Sequence, residues 1–471
     1  MHHNVRSKTR KRSRRGCIRC RASHHKCDEQ QPRCGRCQRL NLECEPTDFI
    51  VPSNWCPSTL KAAAAESGGP ASAWDVIDDA AVASSRQPES ASPVPPALDS
   101  EKVSLVQAYQ NGIAKWMDLF DDESNFQRAV VKRAVESPLL MNAICALIAR
   151  QVGIADREEI WRATAARYYG ESLQQLIAAL ELPTSYPEDN LAATVLLSSY
   201  ELLALPGLDH QRHVSGALTL IRTHACGATS TGITGAAFWI YARQDVAMAL
   251  VHECPTMLPP EEWGVSWDEH ETKEGRLGNQ MVWLLAKTVA HTFRKGCVLS
   301  VRSLADNRAC LERELDAWFE SLPGAFYGIP YERPSPEGFL LLWFAVPSTA
   351  AAMCMYHLAH LLLLTEGCNL HLSTDWRSKS KILEHAQSIA SIALSPISDA
   401  ALVQAVQPLF YGELSLCALL VVHPHSSKAA KHIDSVAKKA KIWALLDRIE
   451  SQLGFYTSDR IQKLQQQVKL S

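Results

Sequence analysis

Six cysteines near the N-terminus constrain the fold of this 471-residue chain more than any other feature. They are Cys17, Cys20, Cys27, Cys34, Cys37 and Cys44. They form two triples, and the second triple is the first one shifted by 17 residues at every position. Each triple begins with a Cys-x2-Cys step, the spacing that brings two thiolates to one zinc ion. The spacing therefore predicts a metal-binding module built from two similar half-units.

The number of thiolates limits how the metal can be held. Two tetrahedral zinc ions need eight ligand positions, so six cysteines serve two ions when two of the thiolates bridge both metals. The alternative is one zinc ion with four cysteines and two spare thiols, which leaves the repeat unexplained. The larger aliphatic residues of this segment are Ile18, Leu40 and Leu42, too few to offset the chain entropy lost on folding. We therefore expect two Zn²⁺ ions to supply the folding free energy, on the order of 10 kcal/mol per structural ion.

The charge of the chain is unevenly distributed. The formal net charge is −2, but residues 1–44 hold 13 Lys and Arg against 3 acidic residues, a net of +10. A short, strongly positive head on an acidic body is typical of proteins that bind a polyanion. One basic run suits both phosphate contacts and nuclear import, and it consists of Lys8, Arg10, Lys11, Arg12, Arg14 and Arg15.

The cysteine segment resembles the fungal zinc binuclear-cluster transcription factors. The similarity rests on residues 16–21, 26–29 and 32–34 and on the cysteines that follow them. It implies two zinc ions shared by the six cysteines, with Cys17 and Cys34 as the bridging ligands and Pro32 in the loop between the half-units. It also implies that a short helix of the first half-unit enters the DNA major groove at a CGG-like triplet. The resemblance thus predicts a nuclear protein that regulates transcription by RNA polymerase II.

The sequence departs from the family where bases are read. The family usually carries basic residues at the third and fourth positions after the second cysteine, and this chain has Ser23 and His24 there, followed by His25. Lys and Arg make the commonest specific contact with guanine, so the resemblance predicts double-stranded DNA binding and leaves the CGG preference open. A zinc-ligand role for His24 or His25 is disfavoured because six cysteines already close both sites. The residues expected to contact DNA are Arg14, Arg15, Arg19, Arg21, Ser23, His24, His25, Lys26 and Arg36.

Residues 45–100 are predicted to be a disordered linker. Proline, serine and alanine dominate them, and no apolar period is sustained. The acidic and apolar segment 74–79 is either a short activation-type motif or, as we favour, an apolar spot in a linker. Over the same residues no a/d heptads extend through three repeats. The chain therefore either recognises one half-site as a monomer, which we favour, or pairs through its body.

Residues 101–471 are predicted to form a large all-α domain of ten to fourteen helices. Two apolar stripes at helical spacing are Trp161, Ala165, Tyr169, Leu173, Leu176 and Leu180, and Ile442, Leu445, Leu446, Ile449 and Leu453. Residues 338–365 carry no charge, but Pro347 interrupts them, so we expect two core helices or one kinked helix rather than a membrane span. The nine remaining cysteines are expected to be buried, inert thiols. Arg243 is expected to pair with Asp245.

The body also resembles the all-helical regulatory region of the same family. The segments that carry this similarity are 137–140, 166–170, 213–217, 239–245 and 315–319. The resemblance implies that the region controls activity through a small-molecule effector, through partners such as the transcription machinery, or through self-association. One function consistent with this region is that of a pathway-specific regulator of a metabolic or secondary-metabolite gene cluster.

An enzyme or a scaffold protein with an accessory zinc nucleic-acid-binding module is the alternative. No phosphate-binding loop, dinucleotide fingerprint or His-Glu-x-x-His motif is present. His213 stands where a nucleophile elbow around Ser215 needs glycine, and His357 and His360 are expected to be core or surface residues. We therefore predict four segments, a basic import arm (1–16), a zinc-stabilised DNA-binding module (17–44), a disordered linker (45–100) and an all-helical regulatory domain (101–471).

Overall fold

The computed structural model describes residues 33–40, 99–156, 159–181, 186–203, 211–268, 270–294, 301–335, 337–366, 376–421 and 428–470. The chain divides into two compact units, Met1–Pro93 and Val94–Ser471. The described part of the first unit contains one helix, α1 (Gly35–Arg39). Almost all of the predicted linker and the whole basic arm lie outside the described residues.

The described part of the second unit is built mainly from helices. They are α2 (Ser100–Asn111), α3 (Ile113–Met117), α4 (Val131–Ala134), α5 (Pro138–Asp156), α6 (Glu159–Glu181), α7 (Pro187–Leu203), α8 (Gln211–Thr223), α9 (Gly232–His252), α10 (Glu274–Thr292), α11 (Val301–Glu320), α12 (Pro347–Thr365), α13 (Trp376–Leu394), α14 (Asp399–Gln404), α15 (Val406–Val421), α16 (Lys428–Leu453) and α17 (Ser458–Leu470). A π-helix (Phe126–Val130) and two 3₁₀ turns (Pro260–Glu262 and Gly324–Phe326) complete them. Thirteen of these α-helices have at least twelve residues, within the predicted range, and α3, α4 and α14 are short additions.

One hydrophobic core runs through the described helices of this unit. Helix α5 packs on α2, α6 and α7, whereas α12 packs on α10, α13 and α15. Helix α9 contacts both α7 and α10 and so links the two groups. The predicted stripes face this core: Ala165 and Leu176 of α6 are buried, as are Ile442 and Leu446 of α16. The helical periods in the sequence therefore predicted the correct faces.

The uncharged segment 338–365 does not form two helices or a kinked one, so that prediction is wrong. One helix, α12, begins at Pro347, because a proline at the first helical position needs no N–H partner and has a helical φ already fixed. Before it, β1 (Ile329–Pro330) and β2 (Leu342–Trp343) pair antiparallel, with Ile329 opposite Trp343. Helices α5 and α12 are long and apolar enough to cross a membrane, yet 61% and 78% of their apolar windows are buried inside the fold. Core helices of soluble proteins share this property.

Candidate metal centre and nucleic-acid interface

The described part of the cysteine module is organised around two thiols. Cys34 is the N-cap of α1, and its Sγ accepts a hydrogen bond from the Cys37 backbone N–H at 3.4 Å. Both cysteines are almost fully buried, with 1% and 0% of their surface exposed, while Leu40 is 54% exposed. Within residues 33–40 the buried side chains are therefore the two cysteines and not an aliphatic residue. Two buried sulfurs on one helical turn, one of them accepting an N–H, form a donor set that suits zinc.

Basic side chains surround these two thiols. Arg33 and Arg39 are exposed, and Arg36 is half-buried beside Cys37 on α1. The Arg39 Nε donates to the Gly35 carbonyl oxygen at 3.2 Å, which places its guanidinium at the helix surface. Arg36 is thus the one predicted DNA-contacting residue whose position the described residues give. The arrangement offers positive charge next to the metal ligands, as phosphate binding requires.

The other predicted site residues lie outside the described residues. They are the ligands Cys17, Cys20, Cys27 and Cys44, the DNA-contacting residues Arg14, Arg15, Arg19, Arg21, Ser23, His24, His25 and Lys26, and the import residues Lys8, Arg10, Lys11 and Arg12. Their assignments remain predictions from the sequence.

Comparison with known proteins finds one matching family model in each unit. Residues 15–50 match the family model of the fungal Zn(2)-Cys(6) binuclear cluster domain, and residues 104–273 match that of the fungal specific transcription factor domain. These two matches support a fungal zinc binuclear-cluster transcription factor. In this zinc-cluster protein the cluster match contains all six cysteines, and the second match runs from α2 to the residue before α10.

Two curated proteins are similar to this zinc-cluster protein. "Transcription activator AMTR1" of Alternaria alternata is 24% identical over 505 residues, which cover 78% of this chain and 63% of that protein. The chain thus spans less than two thirds of that relative's length. "Adhesion and hyphal regulator 1" of Candida albicans is 57% identical over 35 residues, 7% of this chain and 6% of that protein. No solved structure matches significantly.

The predicted pairing of Arg243 with Asp245 is wrong. The two residues are two positions apart on α9, and side chains at that spacing do not face each other on a helix. The Arg243 Nη2 instead donates to the Met117 carbonyl oxygen, and its guanidinium lies over the Phe120 ring at 5.6 Å. Asp118 is the nearby carboxylate, and burial lowers the pKa of Arg243 to about 10.

Asp245 has a structural role of its own. Its carboxylate accepts the backbone N–H groups of Met257 and Leu258 at 2.8 and 2.9 Å. The Tyr241 hydroxyl donates to it at 3.3 Å. Burial raises the pKa of Asp245 to about 6, against these three donors, which favour the ionised form. The residue ties the loop after α9 to the helix.

Two of the segments that resemble the family meet in the fold. The Tyr169 hydroxyl of α6 lies 2.9 Å from the His213 Nε2 of α8, and it donates to the Glu201 carboxylate at 2.6 Å. Tyr169 also stacks on Tyr200, with ring centroids 4.4 Å apart. His213 is therefore part of a half-buried polar cluster that joins α6, α7 and α8. This cluster, rather than a nucleophile elbow around Ser215, accounts for the placement of His213.

The histidines of α12 are half-buried, between the core and surface positions expected of them, and His385 of α13 joins them. The Nδ1 atoms of His357 and His385 are 2.9 Å apart, and the His360 ring stacks on His385 with centroids 4.8 Å apart. Burial lowers the pKa of His357 to about 3 and that of His385 to about 4. The pair is neutral at physiological pH, with one ring donating and the other accepting.

The cysteines of the body fit the prediction in part. Cys145 and Cys354 are buried, and burial raises the pKa of the Cys145 thiol to about 12. Cys226, Cys254 and Cys310 are half-buried. The remaining four lie where the side chain is not described, and they are Cys56, Cys297, Cys368 and Cys417.

Proposed function

We propose that this chain is a sequence-specific DNA-binding regulator of transcription by RNA polymerase II that acts in the nucleus and is not an enzyme. The observation that carries the proposal is the 17-residue cysteine repeat inside the cluster match at residues 15–50. The two described members of the repeat, Cys34 and Cys37, support it because both are buried on one turn.

The cluster would hold two zinc ions through the six cysteines, with Cys17 and Cys34 bridging. Bound zinc fixes the fold of a segment that has almost no apolar core. In the repeat, Arg19 and Arg36 occupy equivalent positions between the paired cysteines. The described half-unit has a helix starting at its first cysteine, so we expect the first half-unit to start a helix at Cys17 in the same way.

DNA recognition divides between two sets of residues. The arginines and lysines from Lys8 to Lys26 contact phosphates, and they set the affinity and its salt dependence. Ser23, His24 and His25 lie where bases are read. A histidine ring and a hydroxyl offer fewer donors to guanine than Lys or Arg does. We therefore expect the preferred site to deviate from CGG at the position that His24 reads.

The body would regulate this activity. Its match to the fungal specific transcription factor domain supports a regulatory role, and its similarity to a protein named as a transcription activator supports activation rather than repression. The transcription machinery is the expected partner, and a small-molecule effector is an additional one. A reporter gene that carries the selected site should respond to expression of the full chain.

Zinc content and DNA selection test the proposal together. The full chain should contain two zinc ions and select a defined sequence from a random duplex pool, whereas Cys34→Ser should hold fewer ions and select nothing. Cys226→Ser is the matched control, because Cys226 is a half-buried thiol of the body, and it should retain both properties. One zinc ion per wild-type chain, or no enriched sequence, would contradict the proposal.

A further inference from the structure

The ribbon formed by β1 and β2 has one buried and one exposed face. Leu342 and Phe344 point inward and pack against the helical core. A Cβ on Gly328 would lie 2.7 Å from the Phe344 ring and 2.9 Å from the Leu342 Cβ, so the inner face leaves no room for a side chain there. Successive side chains of a strand point to opposite faces, so the neighbours of these inward residues form the outer face.

The outer face carries four large apolar side chains. They are Tyr327, Ile329, Tyr331 and Trp343, and between 44% and 57% of each residue's surface is exposed. Ile329 and Trp343 are cross-strand partners, so their side chains share one face. The Tyr327 hydroxyl donates to the Phe319 carbonyl oxygen at 3.2 Å, and the two rings meet edge to face. These contacts hold this end of the patch in place without covering it.

From this geometry we propose that the outer face of the ribbon is the contact surface between two copies of the chain. We call Tyr327, Ile329, Tyr331 and Trp343 the ribbon patch. It exposes roughly 400 Å² of apolar surface, in the range of the largest patches on monomeric proteins. Two copies face to face would bury roughly 800 Å² through the patch, and adjoining residues would bring this to about 1,000 Å², the lower limit of a specific interface. A weak dimer with a dissociation constant in the micromolar range follows.

The charges next to the patch match a two-fold arrangement. Glu332 and Arg333 follow Tyr331 directly, and both are exposed. Among the described residues no ion pair is observed for either of them. In a symmetric dimer the same surface meets itself, so a patch must be complementary to its own copy. Adjacent opposite charges satisfy this condition, because Glu332 of one copy can meet Arg333 of the other.

The contact involves side chains rather than strand addition. The Leu342 N–H points away from β1 and donates to the hydroxyl of Ser395, the residue after α13, at 2.8 Å, so this hydrogen bond occupies that edge. Pro330 lies opposite Leu342, so it also faces an outer edge, where it has no N–H to offer. Proline at such a place prevents edge-to-edge pairing. The apolar face is therefore the part of the ribbon that is open to a partner.

Such a dimer would bring two zinc clusters to one promoter without a coiled coil. The linker has no heptad repeat, so self-association would come from the body. This replaces the monomeric recognition favoured by the sequence. The contact does not involve the metal, so dimerisation should persist when zinc is removed. Failure of zinc-dependent DNA binding and failure of dimerisation are thus separate results.

Sedimentation velocity of the full-length chain, from about 1 to 50 micromolar, tests the contact. The wild-type chain should pass from monomer to dimer over this range, while Ile329→Lys and Trp343→Ser should each weaken association at least tenfold. Ile160→Lys is the control, since Ile160 is an exposed isoleucine on α6, and it should behave as wild type. A wild-type chain that remains monomeric, or a control as impaired as the patch variants, overturns the proposal.

A charge exchange separates self-association from binding to some other protein. Glu332→Arg and Arg333→Glu should each weaken the dimer several-fold, because each places like charges opposite one another. An equimolar mixture of the two variants should associate more tightly than either alone, because one copy is then doubly positive and the other doubly negative. A mixture that associates no better than its components overturns the paired arrangement.

Discussion

The neutral pair His357–His385 makes the stability of the helical body depend on pH. We consider the double variant His357→Leu/His385→Leu, which replaces two half-buried imidazoles by apolar side chains. Burial lowers the pKa of His357 to about 3 and of His385 to about 4, whereas an unfolded histidine titrates near 6.5. Between these values the unfolded chain binds a proton that the folded chain does not. The part of the unfolding free energy that depends on these two histidines is therefore at its full value above pH 6.5, and it is lost as the pH falls toward 4.

The size of the effect follows from linkage. At pH 5 an unfolded histidine is almost fully protonated. Keeping it neutral in the fold costs about 1.4 kcal/mol for each pH unit below the unfolded pKa, which is about 2 kcal/mol at pH 5. For both histidines the wild type should lose about 4 kcal/mol between pH 7 and pH 5. The double variant lacks both imidazoles, so its free energy of unfolding should not show this loss of about 4 kcal/mol. Burial raises the pKa values of Asp118 and Asp245 to about 7 and about 6. These two carboxyl groups increase the free energy of unfolding as the pH falls, and they do so equally in both proteins.

Urea denaturation followed by circular dichroism at pH 7, 6 and 5 measures this difference. Between pH 7 and pH 5 the free energy of unfolding of the wild type should fall by about 4 kcal/mol more than that of the double variant. His224→Gln, a change at an exposed histidine, should follow the wild-type curve. Parallel curves for the wild type and the double variant would refute the reasoning.

Three further predictions concern the body and the arm. Asp245→Ala leaves two backbone N–H groups without their acceptor and should lower the free energy of unfolding by about 3 kcal/mol in urea titrations; Asp245→Asn, which keeps an acceptor oxygen, should lower it less. Gly454→Ala should destabilise by more than about 1 kcal/mol, because φ is +62° and the new Cβ would lie 2.3 Å from the Gln151 carbonyl oxygen, while Gly170→Ala, with open space around it, should not destabilise. Replacing Lys11 and Arg12 by alanine should reduce the nuclear fraction of a fluorescent fusion, and an unchanged fraction would count against the import signal.

The sequence predicted the parts of this protein that depend on local spacing. The cysteine repeat is a local pattern, and it led to the family that the comparisons identify. The stripe that contains Ala165 and Leu176 is also local, because helical geometry places such residues on one side wherever the helix packs. The buried face of α6 followed from it.

Features that depend on tertiary contacts were not predicted. Arg243 donates to Met117, 126 residues away, and no local pattern identifies that partner, although the two-residue spacing alone argues against Asp245. The strand that contains Ile329 has two residues, one of them a proline, and it follows Gly328, so the sequence there resembles a loop. His385 meets His357 because α12 packs on α13. The first half-unit of the cluster remains a prediction from the sequence.

The most direct test of the central claim is the removal of zinc from the full chain. Fluorescence anisotropy with the selected duplex should show DNA binding lost when a chelator has removed both ions and restored when Zn²⁺ is returned. Circular dichroism of the same sample should show the helical signal of the body almost unchanged, since the described helices of the second unit share one hydrophobic core that includes no predicted zinc ligand. Specific DNA binding that survives complete loss of zinc would contradict the account.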